Sequence, residues 1–340
     1  MNFVCKYISE EYREQWEFLI SQSSAGGFNQ SFSWAGFNNV LGWKSYKIGL
    51  FDEQSQELFG GAVLFRFTFK DIGDLFYIPD GPILNFGDET QSVNQWNSLF
   101  GTIEKIILTS ENPIALRVEP RLDYFPAIFK NFSKAPKNLQ PQNTQIINLE
   151  QDEDRILGSM KQKCRYNIGL AGRKGVRVRK IESVSNDDLE IFYELYKKTF
   201  ERKSLKYKEK HVFEKFVEKC SDISSLYFAE YEGVAVAAAF VITFGNRATY
   251  YYGASDYEYK DLMGSYLMHW EIMKDLKLAG LKEYDLYGIS PSRNPDHQWS
   301  KISRFKKGFG GFEQNFVGAL DLVYDKVNYK KFIETYELIS

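Results

Sequence analysis

The residue types best suited to chemistry are concentrated near the C-terminus of the 340-residue chain, in the segment 305–311. This segment reads Phe-Lys-Lys-Gly-Phe-Gly-Gly. Lysine provides a compact positive charge on a mobile stem, and glycine lets a backbone approach a ligand closely. A cation in such a loop can stabilise the negative charge that develops on oxygen during acyl transfer. The alternative for these seven residues alone is a hairpin with solvated lysines and two core phenylalanines.

Two basic clusters indicate a second type of chemistry, the binding of a polyanion. Residues 161–180 contain eight Lys or Arg and no Asp or Glu, and residues 197–210 contain seven Lys or Arg against two Glu. The net charge of the whole chain is only -2, which excludes a generally basic nucleic-acid-binding protein. We therefore expect a local polyanion site on a nearly neutral protein. A solvated helix face is the alternative for either cluster alone.

The three cysteines and three histidines are scattered along the chain, without a CxxC motif or a metal-ligand spacing. This distribution predicts a reducing compartment, with no disulfide framework, metal site or cofactor. Charged residues occur too early in the chain for a signal peptide, and the longest apolar run, 234–242, is too short to cross a bilayer. We expect a cytoplasmic location, with a peripheral membrane contact left open.

Hydrophobic periodicity predicts the same order of elements in each half of the chain: a strand, two helices, several consecutive strands, a helix and a strand. The polar, proline-containing residues 126–141 are typical of a link between the halves. These patterns predict an α/β (α+β) fold of mixed sheets flanked by helices. In the second half, a single helix is predicted over 152–173. A strand predicted over 248–253 places Tyr250 and Tyr252 on one face.

A series of motifs follows these elements in order. In the first half they are Gln30-Ser-Phe-Ser-Trp34, Tyr77-Ile-Pro-Asp-Gly-Pro82 and Arg117-Val-Glu-Pro120. In the second half they are Gln140-Pro-Gln-Asn-Thr-Gln-Ile-Ile-Asn-Leu149, Met160-Lys-Gln-Lys-Cys-Arg-Tyr-Asn-Ile168, Tyr250-Tyr-Tyr-Gly-Ala-Ser255, Tyr284-Asp-Leu-Tyr-Gly-Ile289 and the segment 305–311. Together they resemble the FemABX-type peptidyltransferase family over nearly the whole chain.

The resemblance implies two GNAT-like domains, one formed by residues 1–144 with 318–340 and the other by residues 145–317. It also implies the transfer of an amino acid from aminoacyl-tRNA to a peptidoglycan precursor, either UDP-linked or lipid-linked. The acceptor that the resemblance implies is the side-chain amine of the third residue of the stem peptide. Some members carry a long coiled-coil arm, but only residues 203–226 separate Arg202 from the next predicted strand, so we expect no arm here. We expect a monomer.

Two other functions stay open at this point. One is an acyl-CoA-dependent GNAT-type N-acyltransferase acting on a small amine, although no clear Gly-rich pyrophosphate loop opens a helix. The other is a non-catalytic relative that binds the precursor. Such a relative would keep Arg202 but would not need Lys306, and Lys306 is present.

The resemblance also implies roles for individual residues. Lys306 matches the cation that stabilises developing charge, and Arg202 matches a phosphate-binding arginine. Glu119 is a candidate base or acceptor-positioning carboxylate, with a structural cap at a strand end as the alternative. The further substrate-binding candidates are Phe305, Tyr250, Tyr252, Trp34, Asn38 and Tyr207. The candidates for tRNA contact are Lys161, Lys163, Arg165, Arg173 and Lys174. The chain departs from the family pattern at Asn38 and Asp80, where basic residues are usual.

Overall fold

The computed structural model describes residues 2–291 and 298–339, with side chains up to residue 335. The chain forms two compact units. The first contains the residues up to Gln142 and those from Asn315 onward, and the second contains Asn143–Gln314. The division expected from the sequence, at 144/145 and 317/318, lies within a few residues of these limits. Residues 292–297, between the motif Tyr284-Asp-Leu-Tyr-Gly-Ile289 and the segment 305–311, lie outside the described residues.

The elements of the two units follow one another along the chain. The first unit begins with β1 (Phe3–Tyr7), α1 (Arg13–Gln22), α2 (Phe32–Val40), β2 (Lys44–Asp52), β3 (Leu58–Phe69), β4 (Gly73–Pro79), α3 (Glu89–Ile107), β5 (Pro113–Glu119) and β6 (Ser133–Lys134). The second unit contains β7 (Asn143–Asn148), α4 (Glu153–Ser159), α5 (Gln162–Arg173), β8 (Arg177–Ile181), α6 (Asn186–Glu201), α7 (Lys210–Cys220), β9 (Ser224–Tyr231), β10 (Val234–Phe244), β11 (Arg247–Ser255), α8 (Gly264–Leu278), β12 (Glu283–Gly288), α9 (Ser300–Lys306) and β13 (Phe312–Asn315). The chain then returns to the first unit with β14 (Leu320–Val323) and α10 (Lys326–Ile339).

The first unit is built on a seven-stranded mixed sheet in the order β1-β2-β3-β4-β5-β14-β6. Strands β4 and β5 are parallel, and their register runs from Asp74–Pro113 to Pro79–Glu119. Helix α3 starts where Asp88 accepts a hydrogen bond from the N–H of Gln91, and its apolar stripe packs on the sheet. After an irregularity between Asp74 and Leu75, this parallel pair continues without a break to Pro79 and Glu119.

A buried ion pair ties the C-terminal strand to the first unit. Nε and Nη2 of Arg117 on β5 donate to the two carboxylate oxygens of Asp321 on β14, both at 2.7 Å, and neither side chain is exposed. The hydroxyl of Tyr329 on α10 donates to the same carboxylate at 2.6 Å. Two forked bonds to a carboxylate fix both the distance and the orientation of the strands.

The second unit is built on another seven-stranded mixed sheet, in the order β13-β7-β12-β11-β10-β9-β8. Helices α5 and α8 cover one face, where their apolar residues share a core with β9 and β10. The other face carries the aromatic residues of α6 and α7, with Phe192 and Phe216 packed against Phe240. The parallel pair of this sheet is β11 with β12, whose register covers Arg247–Thr249 against Glu283–Asp285.

The helix predicted over 152–173 is wrong as a single element. Helix α4 ends at Ser159, Met160 and Lys161 adopt extended ψ values of 149° and 143°, and α5 begins at Gln162. The weak helix formers Gly158 and Ser159 precede the break, and the Arg165 guanidinium donates to the Met160 carbonyl that the break exposes. Lys161 therefore lies before a helix rather than in the middle of one.

The longest helix in the described part of the chain, α3, has 19 residues. The segment 203–226 contains the short helix α7 and no coiled-coil arm. Across residues 2–291 and 298–339, no helix combines the length and apolar character needed to cross a bilayer.

Replacing Asp321 with Asn should strongly destabilise the first unit. The change leaves the buried Arg117 charge without its counter-charge, which typically costs about 3–5 kcal/mol. The matched control is Glu334→Gln, which removes an exposed pair with Lys330 at 4.0 Å and should change stability little. Urea unfolding of both variants measures the difference. Equal midpoints would show that the buried pair does not stabilise this unit.

Candidate active site

The segment that carries Lys306 is helical, so the expectation that Lys306 lies in a Gly-rich loop is wrong. Helix α9 ends at Lys306, and a 3-10 turn follows over Lys307–Phe309. The glycines lie after the lysines, so they end the helix rather than interrupt it. Gly311 has φ 74°, and a Cβ there would lie 2.0 Å from the carbonyl oxygen of Ile146. Glycine is therefore required for the close approach of this segment to β7.

The Lys306 side chain is buried, with 7% of the residue exposed. Its ammonium donates to the carbonyl oxygen of Gly288 at 2.7 Å and lies 5.9 Å from the centroid of the Tyr250 ring. Burial lowers the pKa of Lys306 to about 8, and the negative charge of Asp285 opposes this shift. The ammonium is thus held at one position in a poorly solvated environment, where its field is strong.

The parallel pairing of β11 with β12 ends before Tyr250 and Gly288, the two residues that contact this ammonium. Strands β11 and β12 pair up to Thr249 and Asp285, and each then contains an irregularity. In β12 the register against β7 shifts between Asp285 and Gly288, and Tyr287 has φ 63°. Bulges bend a strand and re-aim its groups, and they are frequent beside functional sites. Here the bend occurs next to Gly288, whose carbonyl accepts a hydrogen bond from the Lys306 ammonium.

The expectation that Tyr250 and Tyr252 share one strand face is wrong. The register of β10 with β11 passes from Phe240–Tyr252 to Val241–Tyr250, so Tyr251 is an extra residue in a bulge. Strict alternation fails across a bulge. The Tyr250 ring lies 4.5 Å from the His269 ring on α8, whereas the Tyr252 ring lies 5.0 Å from that of Phe213 on α7. Only Tyr250 is therefore close to Lys306.

A fully buried histidine lies beside the lysine. The Nδ1 atom of His269 is 2.9 Å from the hydroxyl of Tyr284, and its Nε2 has no hydrogen-bond partner among the described residues. Its ring packs 5.5 Å from that of Phe305. Burial lowers the pKa of His269 to about 3, and the charge of Lys306 adds to this effect. The histidine is therefore neutral and leaves Lys306 as the cation of this cluster.

Arg202 and Phe305 line a common cavity of about 150 Å³ in the second unit. Arg202 caps the C-terminus of α6 and is exposed, with its guanidinium carbon 4.6 Å from the centroid of the Tyr257 ring. Lys260 lies 4.1 Å from the same ring, and its ammonium lowers the pKa of the Tyr257 hydroxyl. Tyr207 does not line this cavity, and its hydroxyl donates to Glu201 at 3.2 Å.

The residues expected to contact tRNA are exposed on or beside α5: Lys161, Lys163, Arg165, Arg173 and Lys174. Two of them bind the protein's own backbone, because Arg165 donates to the end of α4 and Lys174 donates to the carbonyl of Asp261 at 2.8 Å. The backbone N–H of Lys161 donates to the carbonyl of Gly308 at 2.9 Å. This bond brings the basic start of α5 beside the segment that carries Lys306.

In the first unit, Glu119 is buried and its carboxylate accepts three hydrogen bonds. Its donors are the Tyr77 hydroxyl and the N–H groups of Leu139 and Gln140, the latter two at 2.6 and 2.9 Å. Burial raises the pKa of Glu119 to about 7, although these bonds and the charge of Arg117 lower it. The geometry fits the structural alternative, because the carboxylate fastens the loop 139–140 to the end of β5.

The motif Gln30-Ser-Phe-Ser-Trp34 also has a structural explanation in the first unit. The Gln30 side chain bonds the backbone of Val63 and Pro79, and Ser31 caps α2. Trp34 is buried against Phe28 at 5.0 Å between ring centroids. The Asn38 side chain donates to the Trp34 carbonyl at 2.9 Å, and buried Asp80 accepts from Asn29 at 2.7 Å.

Sequence reasoning missed three residues of the second unit: Tyr257, Lys260 and His269. The only signal for Lys260 was its place between a tyrosine-rich turn and the glycine that opens α8, which is a common setting for a surface lysine. His269 lies in an apolar helical stripe, where a lone histidine gives no indication of its neighbours.

The stability of the second unit should rise with pH above about 8 because of Lys306. Its pKa is lowered from 10.5 on folding, so between about 8 and 10.5 the unfolded chain binds more protons than the folded chain. The free energy of unfolding then increases with pH. Lys306→Met should reduce this increase, and Lys307→Met, which removes a half-buried partner of Glu313, should keep it. Urea unfolding across this pH window tests the difference, and equal slopes for wild type and Lys306→Met would contradict it.

The whole chain is similar to known proteins in sequence and in fold. The Staphylococcus epidermidis protein named Lipid II:glycine glycyltransferase is 21% identical, over 93% of this chain and 92% of that protein. The crystal structure of FemX superposes with a TM-score of 0.84 at 18% identity, covering 96% of this chain and 99% of FemX. A tandem GNAT protein from the clavulanic acid biosynthesis pathway superposes with a TM-score of 0.57 at 9% identity, covering 95% and 98%. The expected fold, two GNAT-like domains with mixed sheets flanked by helices, is confirmed.

Family membership follows from the sequence match. The FemAB family matches residues 121–233 and 228–336, which together cover more than half of the chain. These residues include Arg202, Tyr250 and Lys306. The resemblance to FemABX-type enzymes is therefore confirmed, and the protein belongs to the FemAB family.

Proposed function

We propose that the protein is an aminoacyltransferase that forms part of a peptidoglycan interpeptide bridge. It moves an amino acid from aminoacyl-tRNA to the side-chain amine of the stem peptide of a precursor. The observation that carries this proposal is the buried ammonium of Lys306, held by the Gly288 carbonyl in a member of the FemAB family. The name of the staphylococcal relative supports the substrate class, because it states a glycyl transfer to lipid II.

The proposed reaction needs a fixed cation. The acceptor amine attacks the ester carbonyl of aminoacyl-tRNA, an N–C bond forms, and the C–O bond to the ribose breaks. Negative charge develops first on the carbonyl oxygen and then on the departing ribose oxygen. A preorganised cation aimed at these atoms is usually the largest catalytic contribution. Lys306 takes this role, with Phe305 and Tyr250 as the aromatic walls beside it.

The proton lost by the amine ends on the ribose hydroxyl of the released tRNA. We assign its transfer to the reacting groups themselves rather than to Glu119, because the carboxylate of Glu119 already accepts three hydrogen bonds in a buried setting. Trp34, Asn38, Tyr207 and Tyr252 stay as proposed substrate-binding residues. Of the basic residues proposed to contact tRNA, Lys161 and Lys163 are the best placed, because they stand at the start of α5.

A transfer assay tests this function directly. The protein is incubated with a mixed pool of charged tRNA and with either a UDP-linked muropeptide or its lipid-linked form, and the acceptors are analysed by mass spectrometry. We expect one acceptor to gain the mass of an amino acid residue and the gain to disappear when the pool is deacylated. Unmodified acceptors in both arms would overturn the proposal.

Lys306→Met should lower the single-turnover rate of transfer by about 10²–10³ and leave the affinity for the acceptor nearly unchanged. The reason is that the ammonium interacts with charge present only in the transition state. Lys307→Met is the matched control, because Lys307 is paired with Glu313 at 2.6 Å and is offset from Lys306 by about 100° around the helical turn. Similar rates for the two variants would contradict this placement of the active site.

Arg202→Ala should weaken binding of the acceptor more than it slows transfer. The loss of charge-assisted hydrogen bonds to a phosphate costs about 1.5–3 kcal/mol. Arg177→Ala is a suitable control, because Arg177 is an exposed arginine of the same unit that does not line the cavity. Calorimetric titration with the acceptor measures both variants. An unchanged affinity for Arg202→Ala would reject its role in phosphate binding.

A further inference from the structure

Two cations converge on one aromatic ring at the cavity of the second unit. The guanidinium carbon of Arg202 lies 4.6 Å from the centroid of the Tyr257 ring, and Nζ of Lys260 lies 4.1 Å from it. All three residues line the cavity of about 150 Å³. The Tyr257 ring is half exposed. Two cations that contact one ring and line the same cavity concentrate positive charge there, which suits a site that receives a negative group.

The carboxylates near this pair act on it only through space, Asp261 on Lys260 and Asp256 on Arg202. Asp256, which also lines the cavity, is paired with Nζ of Lys198 at 2.8 Å and accepts the N–H of Glu258 at 3.0 Å. Within the described part of the chain, no carboxylate oxygen lies within 4.0 Å of a charged nitrogen of Arg202 or Lys260. Lys260 also interacts with the hydroxyl of Tyr257. Among the described residues, neither cation is therefore closed off by an ion pair with a carboxylate.

The remaining walls show what kind of anion would fit. The aromatic rings of Tyr266 and Phe305 and the side chain of Met263 provide an apolar surface. Gly264 and Ser265, at the start of the 15-residue helix α8, complete the cavity. A helix N-terminus adds partial positive charge to the two cations already present. Together these walls fit a phosphate ester, with a charged group and an organic part, better than a free inorganic ion.

We propose that Arg202 and Lys260 bind one phosphate group together at this cavity, with Lys260 as the second cation of the site. The inference rests on the proposed function, which supplies two sources of such a group. One is the diphosphate of the peptidoglycan precursor, and the other is the 3′ end of the aminoacyl-tRNA. Both present an anionic phosphate ester attached to a larger organic group.

Equilibrium binding of two probes to Lys260→Met tests the proposal. The probes are a UDP-linked muropeptide and an RNA hairpin ending in the CCA sequence. We expect the Kd of one probe to rise about 10-fold at fixed salt, which is the effect of losing one charge-assisted contact. Lys260→Arg keeps the charge and should stay within about threefold of wild type. Lys274→Met is the matched control, because Lys274 lies 6.0 Å from the Trp270 ring on the same helix and does not line the cavity.

A double-mutant cycle tests whether Arg202 and Lys260 contact the same phosphate. If they do, the fold-loss in affinity of the combined variant Arg202→Ala/Lys260→Met should be smaller than the product of the two single fold-losses. The reason is that removing one cation already weakens the contact of the other with the shared phosphate. Affinity losses that multiply would show that the two residues act at separate sites, and they would overturn the proposal that both residues bind one phosphate.

The binding results for Lys260→Met and the transfer results for the wild-type protein test this inference and the proposed function independently. Weaker binding of either probe by Lys260→Met, with an unchanged melting temperature, supports the inference and identifies the source of the phosphate. Unchanged binding of both probes overturns it, even if the wild-type protein transfers amino acids. Absence of transfer by the wild-type protein would overturn the proposed function, and the binding of each probe would still show whether Lys260 holds a phosphate.

Discussion

The burial of one positive charge is the constraint on which the second unit depends. A lysine ammonium that leaves water loses several kcal/mol of hydration unless other groups replace it. For Lys306 the Gly288 carbonyl replaces part of it directly, and the Asp285 charge acts over a longer distance. Asp285 is itself fixed by the hydroxyl of Thr144 and the N–H of Tyr287. The irregular end of β12 thus supplies the Gly288 carbonyl that accepts a hydrogen bond from the ammonium. It also fixes the Asp285 carboxylate, whose negative charge stabilises the ammonium.

The two units share a fold but use their parallel strands differently. In the first unit β4 and β5 stay paired to Pro79 and Glu119, and the Glu119 carboxylate is taken up by the loop 139–140. In the second unit β11 and β12 are paired only over their first residues, and a bulge follows in each. An opened pair of strands leaves room for backbone groups to turn towards a substrate, whereas a closed pair does not. This difference explains why we assign the chemistry to the second unit.

Much of the fold could be predicted from the sequence, because the periodicity of apolar residues follows burial. The apolar run of β10 and the amphipathic pattern of α6 show this. The failures share one cause, since they occur where tertiary contacts override local pattern. The extra residue Tyr251 cannot be recognised in a run of three tyrosines, yet it sends Tyr250 and Tyr252 to opposite faces. Lys260 has only the local signal of a common surface lysine, because folding brings it and Arg202 to the same Tyr257 ring.

The environment of Lys306 balances two requirements of the proposed reaction. Burial strengthens the field of the ammonium at a developing oxyanion, but it also favours the neutral amine. With a pKa of about 8, the lysine is still mostly protonated at neutral pH. Deeper burial without the Gly288 carbonyl and Asp285 would remove the charge, and full exposure would weaken its field. The partial shift therefore keeps the lysine charged while its field stays strong.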